Sequence, residues 1–216
     1  MLRRAVSFFL AQYYPDKELI VLNNHPIPIQ CSLPGVQIIN EPKYDTVGEC
    51  RNRLLELAHG EFIRTWDDDD GYLPWSLSQG MAEIGDAPAF KPEHSWYYTP
   101  TELKLVNNAL EASMLVRTEV ARKYGYSPTA GDEHAPLLHG IVQEGGCKIK
   151  DVGEEASYIY HWGWGSWHLS GSLGNGSVKE RSQTWKEHNT DAGDGELTKI
   201  SLDEYYTEFS RRLASR

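Results

Sequence analysis

Asp67-Asp68-Asp69-Asp70 is the stretch of this chain whose residue types point most directly to chemistry. Successive carboxylates repel one another on the kcal/mol scale once water is withdrawn, so holding them together calls for a cation. On an exposed turn the same run would simply be hydrated. Here it follows a hydrophobic stretch, Glu61-Phe62-Ile63-Arg64-Thr65-Trp66, and Gly71-Tyr72-Leu73-Pro74 folds the chain back at once. Alternate residues of a strand point to one side, so Asp67 and Asp69 can share a cavity at its end. An all-oxygen ligand set selects a hard ion, Mg2+ or Mn2+, which keeps waters and bridges substrate phosphates.

The elements that must position these carboxylates follow from periodicity. Val6, Phe9, Leu10 and Tyr13 share one stripe of a helix, which Pro15-Asp16 stops. Glu18 to Leu22 reads as a buried strand ending at Asn23-Asn24, and Val36 to Ile39 as a second strand after a Pro-rich loop. Cys50, Leu54, Leu57 and Ala58 lie on one face of a helix that Gly60 ends. Glu61 to Trp66 is then a third strand running into the aspartates. Alternation of this kind predicts a mostly parallel sheet with helices on its faces, whose chemistry sits beyond the carboxyl ends of the strands. Asn23-Asn24 and the aspartate run both occupy such ends.

The second half is less regular. Helices are expected over 74–85, 118–124 and 135–143, and strands over 96–99, 111–116 and 148–152. Residues 157–176 have the composition of an aromatic loop, 178–195 are polar, and Ser201-Leu202-Asp203-Glu204 has the form of a capping box opening a last helix. The expected organisation is a main domain over 1–177, followed by a polar segment and a helix over 178–216.

Composition narrows the classes. The chain has 216 residues, 40% hydrophobic and 24% charged, enough for one core, and no apolar run approaches a membrane span. Its start, Met1-Leu2-Arg3-Arg4, superficially resembles a signal peptide, but Gln12-Tyr13-Tyr14-Pro15 stands where small cleavage-site residues belong. Three cysteines, Cys31, Cys50 and Cys147, show no paired spacing and fit a reducing, cytoplasmic setting. A net charge of −10 without a Lys/Arg run disfavours a protein built mainly for nucleic acid, although a local basic groove remains open.

The stretch Ser7 to Leu22 resembles the "S-x-L-A-Q-T-Y-P-x-x-E-L-I-V-V" passage of family 2 glycosyltransferases. Gly48-Glu49-Cys50-Arg51-Asn52-Arg53, then Ala58-His59-Gly60-Glu61-Phe62-Ile63, the aspartates and Pro74 resemble that family's "A-R-N-x-G…A-x-G-E-Y-I-x-F-L-D-x-D-D-x-x-x-P". Gly131-Asp132-Glu133-His134 stands where such enzymes carry a Gly-Glu-Asp motif, and Tyr158-Ile159-Tyr160 fits the closing strand. The resemblance spans about residues 2–172 in the right order.

It implies a GT-A fold and inverting transfer of a hexosyl group from a nucleotide sugar, most naturally a UDP-sugar, to an acceptor hydroxyl. Asp67 and Asp69 would hold Mn2+ or Mg2+, with Asp67 and Asp68 beside the nucleotide. Glu133, or Asp132 next to it, falls at the position of the general base; either would also suit an ordinary helix N-terminus. Arg51 and Asn52 belong to a region that lies beside the nucleotide, where Arg51 would offset diphosphate charge, unless it is an ordinary surface arginine. Asn23-Asn24 replaces the usual Asp-Asp at the nucleobase. A late histidine assists the metal or diphosphate in related enzymes, and both His161 and His168 are in place for it.

Family members begin with a strand of the form "V-S-V-I-I-P-T-Y-N", and this chain starts after it, at the first helix. A replacement strand, such as one from a second subunit, is therefore expected, or weak donor affinity. A glycan is the expected acceptor, with a modified phage DNA base as the less favoured one. Two rivals remain: a nucleotide-sugar-binding protein of the same fold without turnover, and nucleotidyl transfer, which normally needs a Gly-rich phosphate loop that this chain lacks.

Overall fold

The computed structural model describes residues 2–99, 101–108, 110–129 and 132–161, together with the backbone of 196–197. Helix α1 (Leu2–Leu10) buries Ala5, Val6, Ser7, Phe8 and Phe9, a wider face than its sequence stripe alone requires. Its end is fastened by Gln12, 4% exposed, whose side-chain amide donates to the carbonyls of Phe8 and Leu73 while its oxygen accepts from the Leu77 N–H. Strands β1 (Leu19–Asn23) and β3 (Val36–Asn40) pair in parallel, with Asn23 opposite Asn40; β2 (Gln30–Cys31) lies between them in sequence.

Helix α2 (Val47–Leu57) starts at a capping box: Glu49 N–H donates to the Thr46 hydroxyl, and the Glu49 carboxylate accepts from the Thr46 N–H. Two orphan donors of the first turn are thereby satisfied. Next come β4 (Phe62–Ile63), β5 (Gly71–Tyr72), α3 (Ser76–Ile84), β6 (Ala89–Pro92), β7 (His94–Tyr98), β8 (Leu103–Asn107) and β9 (Leu115–Arg117). The described core closes with α4 (Thr118–Tyr124), α5 (Ala135–Gln143), β10 (Cys147–Lys150) and β11 (Tyr158–His161). A short strand, β12 (Glu196–Leu197), pairs in parallel with β2.

Two four-stranded sheets, ordered β10-β6-β9-β4 and β5-β11-β7-β8, carry the centre of the molecule. Both are mixed: β6/β10 and β7/β11 run parallel, whereas β4/β9, β6/β9, β5/β11 and β7/β8 run antiparallel. The antiparallel share exceeds the expectation; one such pair, β7/β8, is a hairpin in which the Thr99 N–H donates to the Glu102 carbonyl. Leu55, Val116, Val120, Tyr126, Leu137 and Ile141 form one core, over the first sheet; Leu73, Trp96, Tyr98, Ala156 and Ile159 form another, on the second.

Three expectations shift. The strand before the aspartates ends at Ile63, because Arg64 turns inward and the backbone beyond it leaves the ladder. Residues 111–113 form a 3-10 turn rather than a strand, held by Asn108 donating to the Ser113 hydroxyl and by that hydroxyl donating to the Leu110 carbonyl. Within 157–176, Tyr158–His161 is a strand; the rest of that stretch, the 178–195 segment and the helix expected from Ser201 lie outside the described residues.

Candidate functional site

The aspartate turn is clamped from both sides. Trp66 stacks on Tyr72 with ring centroids 3.7 Å apart, and its indole N–H donates to the Ala5 carbonyl on α1. The Asp67 N–H donates to the Tyr72 hydroxyl at 2.8 Å, and Arg4 donates to the Asp69 carbonyl at 2.8 Å. Asp70, 2% exposed, points inward, where the Tyr158 hydroxyl donates to Oδ2 and the His161 N–H to Oδ1. Beneath the turn, Arg64 donates to Ser76 Oγ at 2.6 Å and packs over the Tyr72 ring, with burial lowering its pKa to about 10.

Crowding shows in the carboxyls. Burial, followed by the neighbouring carboxylates, pushes Asp69 up to about 7 and raises Asp68 and Asp70 as well. Excess negative charge in a partly dry, all-oxygen turn is the donor chemistry that suits a hard divalent cation. The turn does not close into a three-ligand cluster, however. Among the described residues such a cluster occurs at Glu93, His94 and Asp151, where the His94 imidazole lies 3.1 Å from the Asp151 carboxylate. A Mg2+-type ion characteristically takes one or two protein carboxylates and completes its shell with water and substrate phosphate, and Asp67 with Asp69 fits that mode.

Arg51 is the other half of the site. One turn into α2, its guanidinium donates from Nη2 to Asp67 Oδ1 (3.1 Å) and from Nη1 to Glu133 Oε1 (3.2 Å). Nη1 also lies 2.7 Å from His134 Nε2; an arginine cannot accept, so that imidazole nitrogen is the acceptor. Burial and then the Arg51 charge lower the His134 pKa, keeping the ring neutral. The guanidinium sits 5.6 Å from the centroid of Tyr126, whose hydroxyl is 3.3 Å from that of Thr65. Burial opposes the Arg51 charge, but Asp67, Tyr126 and Glu133 outweigh it and hold the pKa above the ordinary arginine value.

Other predicted site residues serve the frame. The Asn52 side chain donates to the Tyr126 carbonyl and accepts from the Tyr126 N–H, both at 2.8 Å, which fixes the ring under Arg51. Asn23 donates to Ile27 O and Asn40 Oδ1 and accepts from the His25 N–H. Asn24 makes a matched pair of bonds with the Tyr44 backbone. Both amides are thus engaged in joining the end of β1 to Asn40 and to the segment before α2. Asp132 is exposed at the turn before α5, its carbonyl accepting from the Ala135 N–H, while Glu133 turns into the Arg51 cluster. His161 is buried on β11 with its ring 5.5 Å from that of Tyr98, and His168 lies outside the described residues.

Arg51, Asp67 and Glu133 are therefore brought together, and Asn23 and Asn24 do not join them through any hydrogen bond among the described residues. Tyr126, His134, Asp70 and Tyr158 were missed from sequence. No motif marks Tyr126; Asp70 ends the aspartate run and Tyr158 opens the closing-strand match, with no role of its own read for either, and for His134 the signal was adjacency to Glu133.

Mixed sheets flanked by helices, with an acidic turn clamped between them, define an α/β fold of the GT-A type. Solved structures of S. aureus TarS share it. TarS 1-349 matches with a TM-score of 0.58 at 12% identity, covering 98% of this chain and 74% of that one. The complex of TarS 1-349 with UDP-GlcNAc matches with a TM-score of 0.59 at 13% identity, over 84% of this chain and 66% of that one. A further TarS structure gives 0.54 at 12%, over 86% of this chain and only 39% of that one. At such identity the likeness is one of fold. No protein-family model matches the sequence, and no curated protein does.

Proposed function

We propose that the chain transfers a hexosyl group from a UDP-sugar to an acceptor hydroxyl, inverting the anomeric carbon. The observation that carries this reading is the shared guanidinium: Glu133, which the family resemblance puts at the position of the base, and Asp67 of the acidic run both lie within 3.2 Å of Arg51. Support also comes from TarS, a structure of the same fold whose complex contains UDP-GlcNAc.

In this reading Glu133 accepts the proton of the acceptor hydroxyl as its oxygen bonds to the anomeric carbon. The bond from that carbon to the diphosphate oxygen breaks, and its electron pair departs with UDP. Asp67 and Asp69 would hold Mn2+ or Mg2+, with Asp68 beside the donor; the ion's chemistry is neutralisation of charge on the leaving diphosphate. Among the described residues no helix is long and apolar enough to cross a membrane.

The test is UDP release, with Mn2+, from UDP-glucose, UDP-galactose, UDP-N-acetylglucosamine and UDP-glucuronic acid. Loss of about 10²–10⁴-fold in kcat is expected for Glu133→Gln. No release by the wild type from any donor would sink the transfer reading.

One observation favours a second reading, donor binding without turnover: the Asn23 and Asn24 amides are tied to the Asn40 side chain and to the Tyr44 backbone. Calorimetry separates the two. UDP-sugar binding in Mn2+ with no product would favour the second.

A further inference from the structure

We infer that Arg51 is a positioning residue, which sets the Glu133 carboxylate against the aspartate turn, and is not a ligand of the donor diphosphate; this rests on the transfer reading above. A diphosphate ligand must have donors to offer. Three of the five N–H donors of Arg51 are committed to Asp67 Oδ1, Glu133 Oε1 and His134 Nε2, its face is set on Tyr126, and its side chain is only 13% exposed, so little of the guanidinium is left within reach of a phosphate. Recruiting it to a phosphate would strip the cation from two half-buried carboxylates, 31% and 21% exposed, in a region already overloaded with negative charge.

The frame around Arg51 is built for fixed geometry. The capping box sets the start of α2, and Gly48 allows that turn to lie directly against the Ser127 backbone. Asn52 clasps Tyr126 by both backbone groups, and the Glu133 carbonyl accepts from the Ser127 N–H. Arg51 donates to Oε1 of Glu133, and among the described residues Oε2 accepts no hydrogen bond. Oε2 is the oxygen left to take a proton. Holding a carboxylate by one oxygen fixes the direction of the other, and a misplacement of about 1 Å in such a group costs on the order of 10²-fold in rate.

The experiment compares wild type with Arg51→Lys and Arg51→Gln in two assays: calorimetry of UDP binding in Mn2+, and steady-state UDP release from the donor that the wild type uses. A positioning role predicts that kcat falls about 10²-fold in Arg51→Gln, with partial rescue in Arg51→Lys. Donor KM and the UDP Kd should stay within about threefold of wild type, a change worth less than one tenfold step in affinity. A rise of tenfold or more in UDP Kd alongside the loss of kcat would overturn the inference in favour of a phosphate contact.

If the wild type releases no UDP from any donor, the transfer reading falls separately. The geometric half of the inference is then read from a double-mutant cycle in thermal unfolding with Arg51→Gln and Glu133→Gln. Non-additive shifts support the coupling, and additive ones overturn it.

Discussion

Tyr158 donates its hydroxyl proton to Asp70, eighty-eight residues earlier in the chain, and so locks the last residue of the acidic run to strand β11. The same carboxyl accepts the His161 N–H at 3.1 Å. Asp70 is thus separated in role from Asp67, whose carboxylate meets Arg51: the last aspartate of the run anchors the turn instead.

Removing that anchor should weaken the protein. Tyr158→Phe leaves a buried carboxyl short of a donor, which costs about 1–3 kcal/mol. For a chain of this size each kcal/mol lowers the melting temperature by about 2–4 °C. Thermal unfolding followed by circular dichroism is the check, and an unchanged midpoint would show that the turn is held without the latch.

Gly48 offers a steric prediction. A Cβ built there would lie 1.8 Å from the Ser127 carbonyl oxygen, a distance that neither backbone can relieve without moving. Gly48→Ala should cost about 1–3 kcal/mol through overpacking. Displacing α2 also carries Arg51 away from Glu133, so UDP release should fall further than the loss of folded protein explains. Activity that tracks the folded fraction alone would refute the link between helix position and base.

Much of the first half was legible in the sequence because its elements are local. The first helix and the two parallel strands follow from apolar spacing that a short window contains, but the stripe's Tyr13 lies beyond α1 and is exposed, and α2 buries Gly48 and Leu55 where the spacing pointed to Cys50, Leu54, Leu57 and Ala58. What could not be read is what joins them. Arg51, Asp67 and Glu133 were each singled out, but their meeting depends on contacts 16 and 82 residues apart that no local pattern encodes. The strand expected through Trp66 failed for a similar reason: Arg64 bonds to Ser76 and Ala112, partners supplied by tertiary packing. Asn52, assigned to the nucleotide region on motif grounds, is seen to clasp the Tyr126 backbone.

Acid stability should depend on Glu41. Hydrogen bonds from Arg53, and then from Tyr44, hold its carboxyl down at about 2. Between that value and the ordinary carboxylate range the unfolded chain binds a proton that the folded chain refuses. The pair therefore contributes stability above about pH 4.5, and that contribution is lost as the pH falls towards 2. Glu41→Gln should flatten the acid limb of the melting temperature between pH 3 and 6. The pair is exposed, so the effect should be small and should shrink in high salt.

The acidic turn makes opposite predictions for the free and ion-bound protein. Without a cation, Asp69 is raised to about 7 by burial and by Asp67 and Asp68, so its negative charge is unfavourable where it stands. Asp69→Asn removes one of the crowded charges and should raise the melting temperature of the metal-free protein at pH 8. With Mn2+ and UDP present the order should reverse. A ligand at a hundredfold excess over its Kd stabilises the folded state by about 2.7 kcal/mol, and the variant should lose most of that gain together with UDP release. Chelation should return the wild type to the lower midpoint. Stability and function would then conflict at one residue, as expected where like charges are held together to bind an ion. A variant that gains as much from Mn2+ and UDP as the wild type does would remove Asp69 from the ion site.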